Sequence, residues 1–475
     1  MQTRFIKILF PLFCVVSCAN HQPAGDTTND SANNISSSAT VFTRHTFEAG
    51  KVIPTVVCKT DASQSYALYI PSSNNDHPLP VIYFFDPHAD GALPLKKYKM
   101  LADKYGFILI GSNNSKNGND FSTAENIWNN MSADAEKRIY IDSSRIYICG
   151  FSGGAKVAGY IALNHSEVKG VIANSAALPD GTPAANFNFT FTGIAGDGDM
   201  NMTDVVAFTN ELDNTKTFHR MIMFTGKHEW APETTMDIAF EGLVFDAMRS
   251  KQIALNNDRI KKYIGETEKN INEYVAANNF IKADETCKLA VNMLDGLTDE
   301  VNSFKQKERS FSSNPFYLKQ QKQRQYLFAK EESMKAVYQQ QFQNGDINYW
   351  TKTIQDLDKK AIPKTDEGAM YNRLLAYLSL AFYSISNQLI NGNQNDQAKY
   401  FVELYKMADP TNSEAYYFSA ILDARNNDSK AAQNDLLKAA DNGFNDKERM
   451  LQQPDFQSLS TPIDFSAIES KMKIE

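Results

Sequence analysis

The sequence predicts two structural classes in series, an α/β unit followed by an all-α unit. Between residues 41 and 250, short runs rich in Ile, Val, Phe and Tyr alternate with longer segments that carry apolar residues at helical intervals. The runs are almost continuously apolar, the pattern of strands buried on both faces of a mainly parallel sheet covered by helices. From about residue 256 the strand signals vanish, and polar segments rich in Lys, Gln, Asn and Glu carry apolar residues at helical spacing.

Taken in order, extended segments are expected over 53–58, 66–70 and 81–85, interrupted by Pro and by the turn-forming SSNNDHP. A helix over 93–105, a strand over 107–112 and a helix over 122–139 follow. Next come a strand over 145–149, a small-residue helix, strands over 168–174, 189–195 and 218–224, and a helix over 234–249. Farther on, Met370, Leu374, Leu378, Ala381, Ile385 and Leu389 form one stripe, as in a helix buried along one side. The expected organisation is a leader over 1–17, a tether over 18–40, an α/β unit over 41–250 and an all-α unit over 256–475.

Composition narrows the classes. The chain has 475 residues, 42% hydrophobic and 22% charged, enough for two or three cores. A net charge of −8 with no concentrated basic stretch excludes nucleic acid as a partner. The cysteines, Cys14, Cys18, Cys58, Cys149 and Cys287, show no CxxC spacing, so neither a disulfide framework nor a thiolate zinc site is expected. No cofactor is implied. Cys149 reads as a small buried strand residue. Residues 19–40 are so poor in apolar side chains that burial cannot offset the entropy of ordering them.

The chemistry centres on residues 145–159, RIYICGFSGGAKVAG, in which Gly150-Phe151-Ser152-Gly153-Gly154 fits Gly-x-Ser-x-Gly between a strand and a helix. A sharp turn there lifts a serine hydroxyl clear of the sheet, and the glycines let strand and helix pass without Cβ clashes. A serine needs a base, and the base a carboxylate to orient it. After the strand ending near 195 comes Gly196-Asp197-Gly198-Asp199-Met200-Asn201; after the strand ending at 224 comes Thr225-Gly226-Lys227-His228-Glu229-Trp230. His228 is the candidate base and Asp199 the candidate acid, with Asp197 as the alternative. An aspartate not so used would cap the helix beginning near 203. An oxyanion needs fixed donors: the Gly153 amide, and the amide of His88 or Ala89 in the loop 85–91. Asn113, Asn114 and Ser115 follow a strand and serve equally as substrate contacts or as a turn.

These residues, in the chain order Ser, Asp, His, make residues 41–249 resemble an α/β-hydrolase of the esterase type, close to the polyhydroxybutyrate depolymerase and feruloyl esterase branch. SYALYIP at 65–71 is similar to the family's opening strand. Asp134, Arg138, Asp142 and Arg145 match its run into the elbow, and Gly226-Lys227-His228-Glu229-Trp230 resembles its Gly-Gly-His-x-Trp turn. The resemblance implies Ser152 as nucleophile, His228 as base and then acid, and Asp199 from the family's Gly-x-x-Asp-x-Asn loop. Ala89 departs from it, standing where the family has glycine.

Two further resemblances complete the reading. MQTRFIKILFPLFCVVSC resembles a bacterial lipoprotein signal, which implies cleavage before Cys18 and attachment there of lipid chains such as palmitate. Localisation in a bacterial envelope, on a periplasmic or surface-facing membrane leaflet, follows from that. Ala398, Val402 and Tyr405 recur 34 residues later as Ala432, Leu436 and Ala439, so 396–443 resembles tetratricopeptide repeats, which implies a protein partner. Asp423 and Phe444 depart from that pattern. The expected function is a membrane-anchored serine hydrolase acting on esters through an acyl-enzyme. A serine peptidase on the same fold is the competing chemistry, and a repeat-based scaffold with a vestigial hydrolase the competing class.

Overall fold

The computed structural model describes residues 47–72 and 77–472. The leader, Cys18 and the tether lie outside the described residues. Among those described, eight strands form one sheet: β1 (Ile53–Val57), β2 (Ser65–Tyr69), β3 (Leu79–Phe85), β4 (Ile108–Ser112), β5 (Ile141–Phe151), β6 (Val168–Asn174), β7 (Thr190–Gly196) and β8 (His219–Phe224). Their spatial order is β1-β2-β4-β3-β5-β6-β7-β8. β2 runs antiparallel to both of its neighbours, β1 and β4, and the other five pairings are parallel. The helices between the strands are α1 (Ala92–Tyr105), α2 (Phe121–Arg138), α3 (Gly153–Asn164), α4 (Met202–Leu212) and α5 (Glu233–Arg249).

The period of two along the strands divides the sheet between two cores. Val81, Tyr83 and Phe85 point with Ile146 and Ile148 into the core under α2, α3 and α4, around Trp128 and Ile161. Ile82, Phe84, Tyr147 and Cys149 point into the opposite core under α1 and α5, around Tyr98 and Phe240. Burial pushes the Cys149 thiol well above its ordinary range, which suits a packing residue and not a nucleophile.

Beyond α5 the described chain is helical: α6 (Asn257–Ala276), α7 (Phe280–Leu294), α8 (Val301–Phe311), α9 (Pro315–Asn344), α10 (Ile347–Lys360), α11 (Asp366–Asn391), α12 (Asn395–Ala408), α13 (Ser413–Arg425) and α14 (Ser429–Asp441), with short helices after them. None is long and apolar enough to cross a membrane. In α11 Met370, Leu374, Leu378, Ile385 and Leu389 are buried, with Ala381 packed beside them. The recurring Ala398, Val402, Tyr405, Ala432, Leu436 and Ala439 are all buried as well. Phe444 stacks on Tyr417 at 4.7 Å, so an aromatic pair fills its place in the series. Asp423 lies half-buried, and desolvation, followed by repulsion from Asp435, pushes its carboxyl up to about 6.

Two buried carboxylates tie elements that are distant in sequence. Asp134 of α2 accepts the Lys59 amide, the Tyr66 hydroxyl and the Arg138 guanidinium. Asp246 of α5 pairs with Arg220 of β8, which is fully buried, and with Arg249. Arg249 also donates to the carbonyls of Met293 and Asp295, both at 2.8 Å or less, and so closes the end of α7. Burial alone would raise both carboxyls. The hydrogen bonds and guanidinium charges outweigh it and hold each below the ordinary carboxylate range. A depressed folded pKa stabilises above the unfolded value, about 4, and this contribution is lost as pH falls through the folded one. The urea midpoint should therefore hold between pH 7 and 5 and fall steeply below about pH 4. Asp134→Asn should flatten part of that fall, and a midpoint unchanged at pH 3 would contradict this account.

Candidate active site

β5 ends at Phe151 and α3 begins at Gly153, leaving Ser152 alone to make the turn. Ser152 sits at φ 53°, ψ −121°, backbone that L-residues rarely adopt. The close approach of the flanking elements enforces it. A Cβ on Gly150 would lie 2.1 Å from the Gly154 carbonyl oxygen, and one on Gly154 would lie 2.0 Å from the carbonyl oxygen of Phe85. The Ser152 amide donates to the Asn174 carbonyl at the end of β6 at 2.8 Å.

The loops after β7 and β8 meet this serine. Ser152 Oγ and His228 Nε2 are 2.9 Å apart, and His228 Nδ1 and Asp199 Oδ1 are 2.9 Å apart. Asp199 is fully buried, while the His228 side chain keeps 20% of its exposure, so the carboxylate is shielded and the imidazole can be reached. The ring of Phe151 packs against the imidazole, with centroids 4.8 Å apart and planes tilted by 41°. The two aspartates divide their work. Asp199 Oδ1 also accepts the Asn201 amide, whereas Asp197 accepts the Gly226 amide at 3.1 Å and locks the two loops together. Neither side chain caps α4, whose N-cap position is Asn201.

The oxyanion candidates divide in the same way. Gly153 is the first residue of α3, where the amide has no intrahelical partner. The His88 amide donates to Asp86 Oδ1 at 2.8 Å and the Ala89 amide to the Asp86 carbonyl at 3.2 Å, so both are held inside their own loop. Asp86 is buried, and its other oxygen accepts the Trp230 indole at 2.8 Å. Ala89 adopts φ 63°, the left-handed backbone that glycine would take without strain. The His88 ring is 80% exposed at 3.5 Å from Asp86. That contact first, with Glu414 of α13 adding to it, raises its pKa.

Asn113, Asn114 and Ser115 do not face the serine. The Asn113 carboxamide donates to the Pro54 carbonyl and Ser65, Asn114 pairs with Ser63 and Ser65, and the Ser115 amide donates to Ser112. Asn113 and Asn114 fasten the β1–β2 hairpin, and Ser115 is tied back to the end of β4. The residue that does reach the site is Asn117: its Oδ1 lies 2.0 Å from where a Cβ on Gly153 would stand, and its amide donates to the Pro87 carbonyl. Sequence reasoning stopped two residues short of it. Asn174 was also missed. It donates to Ser175 and to the Glu229 carbonyl and accepts the Ala231 amide, joining the end of β6 to the loop of His228. Asn201 bonds the Ser175 carbonyl at 2.9 Å.

Among the described residues no group of three His, Cys, Asp or Glu side chains is placed to hold a metal ion. His165 lies between Glu125 and Glu167, and His219 pairs with Asp213. Cavities of 510 and 280 Å³, bordered by Met248 and Leu297 and by Tyr105 and Arg145, involve none of the residues around Ser152.

No protein-family model and no curated protein matches this chain. Among solved structures it is similar to an esterase of the archaeon Pyrobaculum calidifontis, at 11% identity over 44% of this chain and 88% of that one, TM-score 0.35. It is similar to a ferulic acid esterase at 18% identity over 41% and 97%, TM-score 0.33. It is also similar to the acylaminoacyl peptidase of Pyrococcus horikoshii at 12% identity over 42% and 41%, TM-score 0.31.

The three glycines of the elbow differ in what opposes them. Gly150 and Gly154 face backbone that cannot yield, whereas Gly153 faces the movable end of Asn117. Gly150→Ala and Gly154→Ala are each expected to cost about 1–3 kcal/mol or more, and Gly153→Ala much less. Thermal melting of the three variants orders them, and equal losses would contradict the packing argument.

Proposed function

We propose that this chain is a serine hydrolase of the α/β-hydrolase type that cleaves carboxylic esters through an acyl-enzyme. The continuous hydrogen-bond line from buried Asp199 through His228 to Ser152, at 2.9 Å in each step, carries this reading. Ser152 Oγ attacks the ester carbonyl carbon while His228 Nε2 takes its proton. The negative charge passes to the carbonyl oxygen, which the Gly153 amide receives. Collapse breaks the carbon–oxygen bond to the alcohol, and His228 returns the proton to the departing alkoxide. Water then attacks the acyl group with His228 again as base, releasing the acid and restoring the serine. Asp199 keeps the imidazole in the tautomer and orientation that present Nε2 to Ser152.

The proposal includes the tether. Lipid attachment at Cys18 would place this chemistry at a membrane surface, and Cys18→Ala should move the protein from the membrane fraction to the soluble one.

The decisive test uses the full chain with short p-nitrophenyl esters, aminoacyl amides and a fluorophosphonate. Ester cleavage exceeding amide cleavage, with the label on Ser152, is expected. Ser152→Ala should abolish both, and Asp199→Asn should lower kcat on the order of 10³–10⁴-fold. Asp197→Asn should lower it far less, because a carboxamide oxygen still accepts the Gly226 amide. Folded protein that neither cleaves esters nor takes the label would end this reading, and preference for amides would redirect it to a peptidase.

A further inference from the structure

We propose that Arg373 is a positioning residue that holds the loop of Asp199 from the helical part of the chain. The proposal rests on the reading of Ser152, His228 and Asp199 as the reacting set. Arg373 lies on α11, and its Nη1 donates to the Asp197 carbonyl at 2.7 Å, two residues before the acid. Its Nε and Nη2 donate to Glu331 Oε2 of α9 at 2.9 and 2.6 Å. Glu331 Oε1 lies 3.2 Å from Lys335 Nζ. The Glu331 side chain is fully buried and that of Arg373 is 4% exposed. Such burial is costly, and apolar side chains of similar volume serve stability as well or better. What they cannot supply is a rigid fork that grips a carboxylate with one edge and a carbonyl with another.

The surroundings give this fork a fixed base. Phe328 of α9 packs against Ala195, Met202 and Val205, the core between β7 and α4, and lies 5.9 Å from the Arg373 guanidinium. Asn372 packs beside Gly198, 3.9 Å from where its Cβ would stand. On its other side the loop is tied to the His228 loop: the Asp197 amide donates to the Phe224 carbonyl, and the Gly198 amide to the Gly226 carbonyl. Acid and base loops are thus bonded to one another, and Arg373 bonds them to α9 and α11. The helices are a structural part of the site.

The test replaces both charges together, Glu331→Leu with Arg373→Met in the full chain, so that neither is left buried alone, while Lys335 keeps its pairing with Glu332 at 3.1 Å. The melting temperature should stay near the parent's. With a short p-nitrophenyl ester, kcat should fall on the order of 10–100-fold while KM stays within about twofold. The amides of 197–201 should exchange with deuterium faster. Arg373→Lys, which keeps a donor for the carbonyl, should fall between the two, and it decides the matter if the double variant does not fold: parent values of kcat and exchange overturn the proposal. A folded double variant with parent kcat and parent exchange overturns it as well. If the parent itself is inert to ester and fluorophosphonate, the hydrolase reading fails separately, and exchange in the loop alone decides the brace.

Discussion

The close passage of α3 across the end of β5 is the constraint on which the rest of the structure depends. With Gly154 against the Phe85 carbonyl and Gly150 against Gly154, the single residue between strand and helix has no relaxed backbone open to it, and Ser152 is forced to φ 53°. Strain of this kind costs on the order of 1–3 kcal/mol and persists only where packing over-determines it. Here the sheet supplies that packing, since β5 is a central strand with parallel neighbours on both sides. The same turn brings the Ser152 hydroxyl to His228 and leaves the first amide of α3 beside it without an intrahelical partner, so one backbone contortion sets both groups.

Parallel strands bring their carboxyl ends to one edge, and at that edge loops from separate strands must be held in mutual register. Side-chain amides do much of this. Asn174 joins the end of β6 to the loop of His228, and Asn201 joins the loop of Asp199 to Ser175. Asp197 and Asp199, two residues apart, serve different ends because the loop turns between them: one faces the Gly226 amide and the other faces the imidazole. Proximity to the histidine in sequence terms could not separate them; the direction of the turn does.

This explains how much was legible in the sequence. Strand and helix positions followed from short, nearly continuous apolar runs and from helical apolar patterns, and fall within a few residues of β1 to β8 and α1 to α5, because local burial dictates both. That Ser152, His228 and the Asp197–Asp199 loop would meet was also readable, since glycines and strand ends mark where the chain must turn, while the choice of Asp199 over Asp197 came from the resemblance of its loop. Other features were not. Asn117 differs from Asn113 only in which way a polar loop folds back, and composition does not encode that. The Arg373–Glu331 pair joins positions 42 residues apart and reaches a carbonyl 176 residues upstream, so no local pattern announces it. Arginine and glutamate on helices read as solvated faces until tertiary contact buries them.

The loop opposite Ser152 shows how a departure from a glycine-rich pattern is accommodated. Left-handed backbone at an L-residue such as Ala89 costs roughly 1–2 kcal/mol, and something must hold it there. Asp86 does so by accepting the His88 amide with its carboxylate and the Ala89 amide with its carbonyl, a closed turn that does not require glycine. That carboxylate is in turn bonded to Trp230, two residues after His228. The loop is therefore set by the same segment that carries His228, so this loop and the imidazole beside Ser152 are positioned together. Glycine in that position would relieve the left-handed strain and leave these bonds in place, because they run through Asp86 and backbone amides and not through the Ala89 side chain.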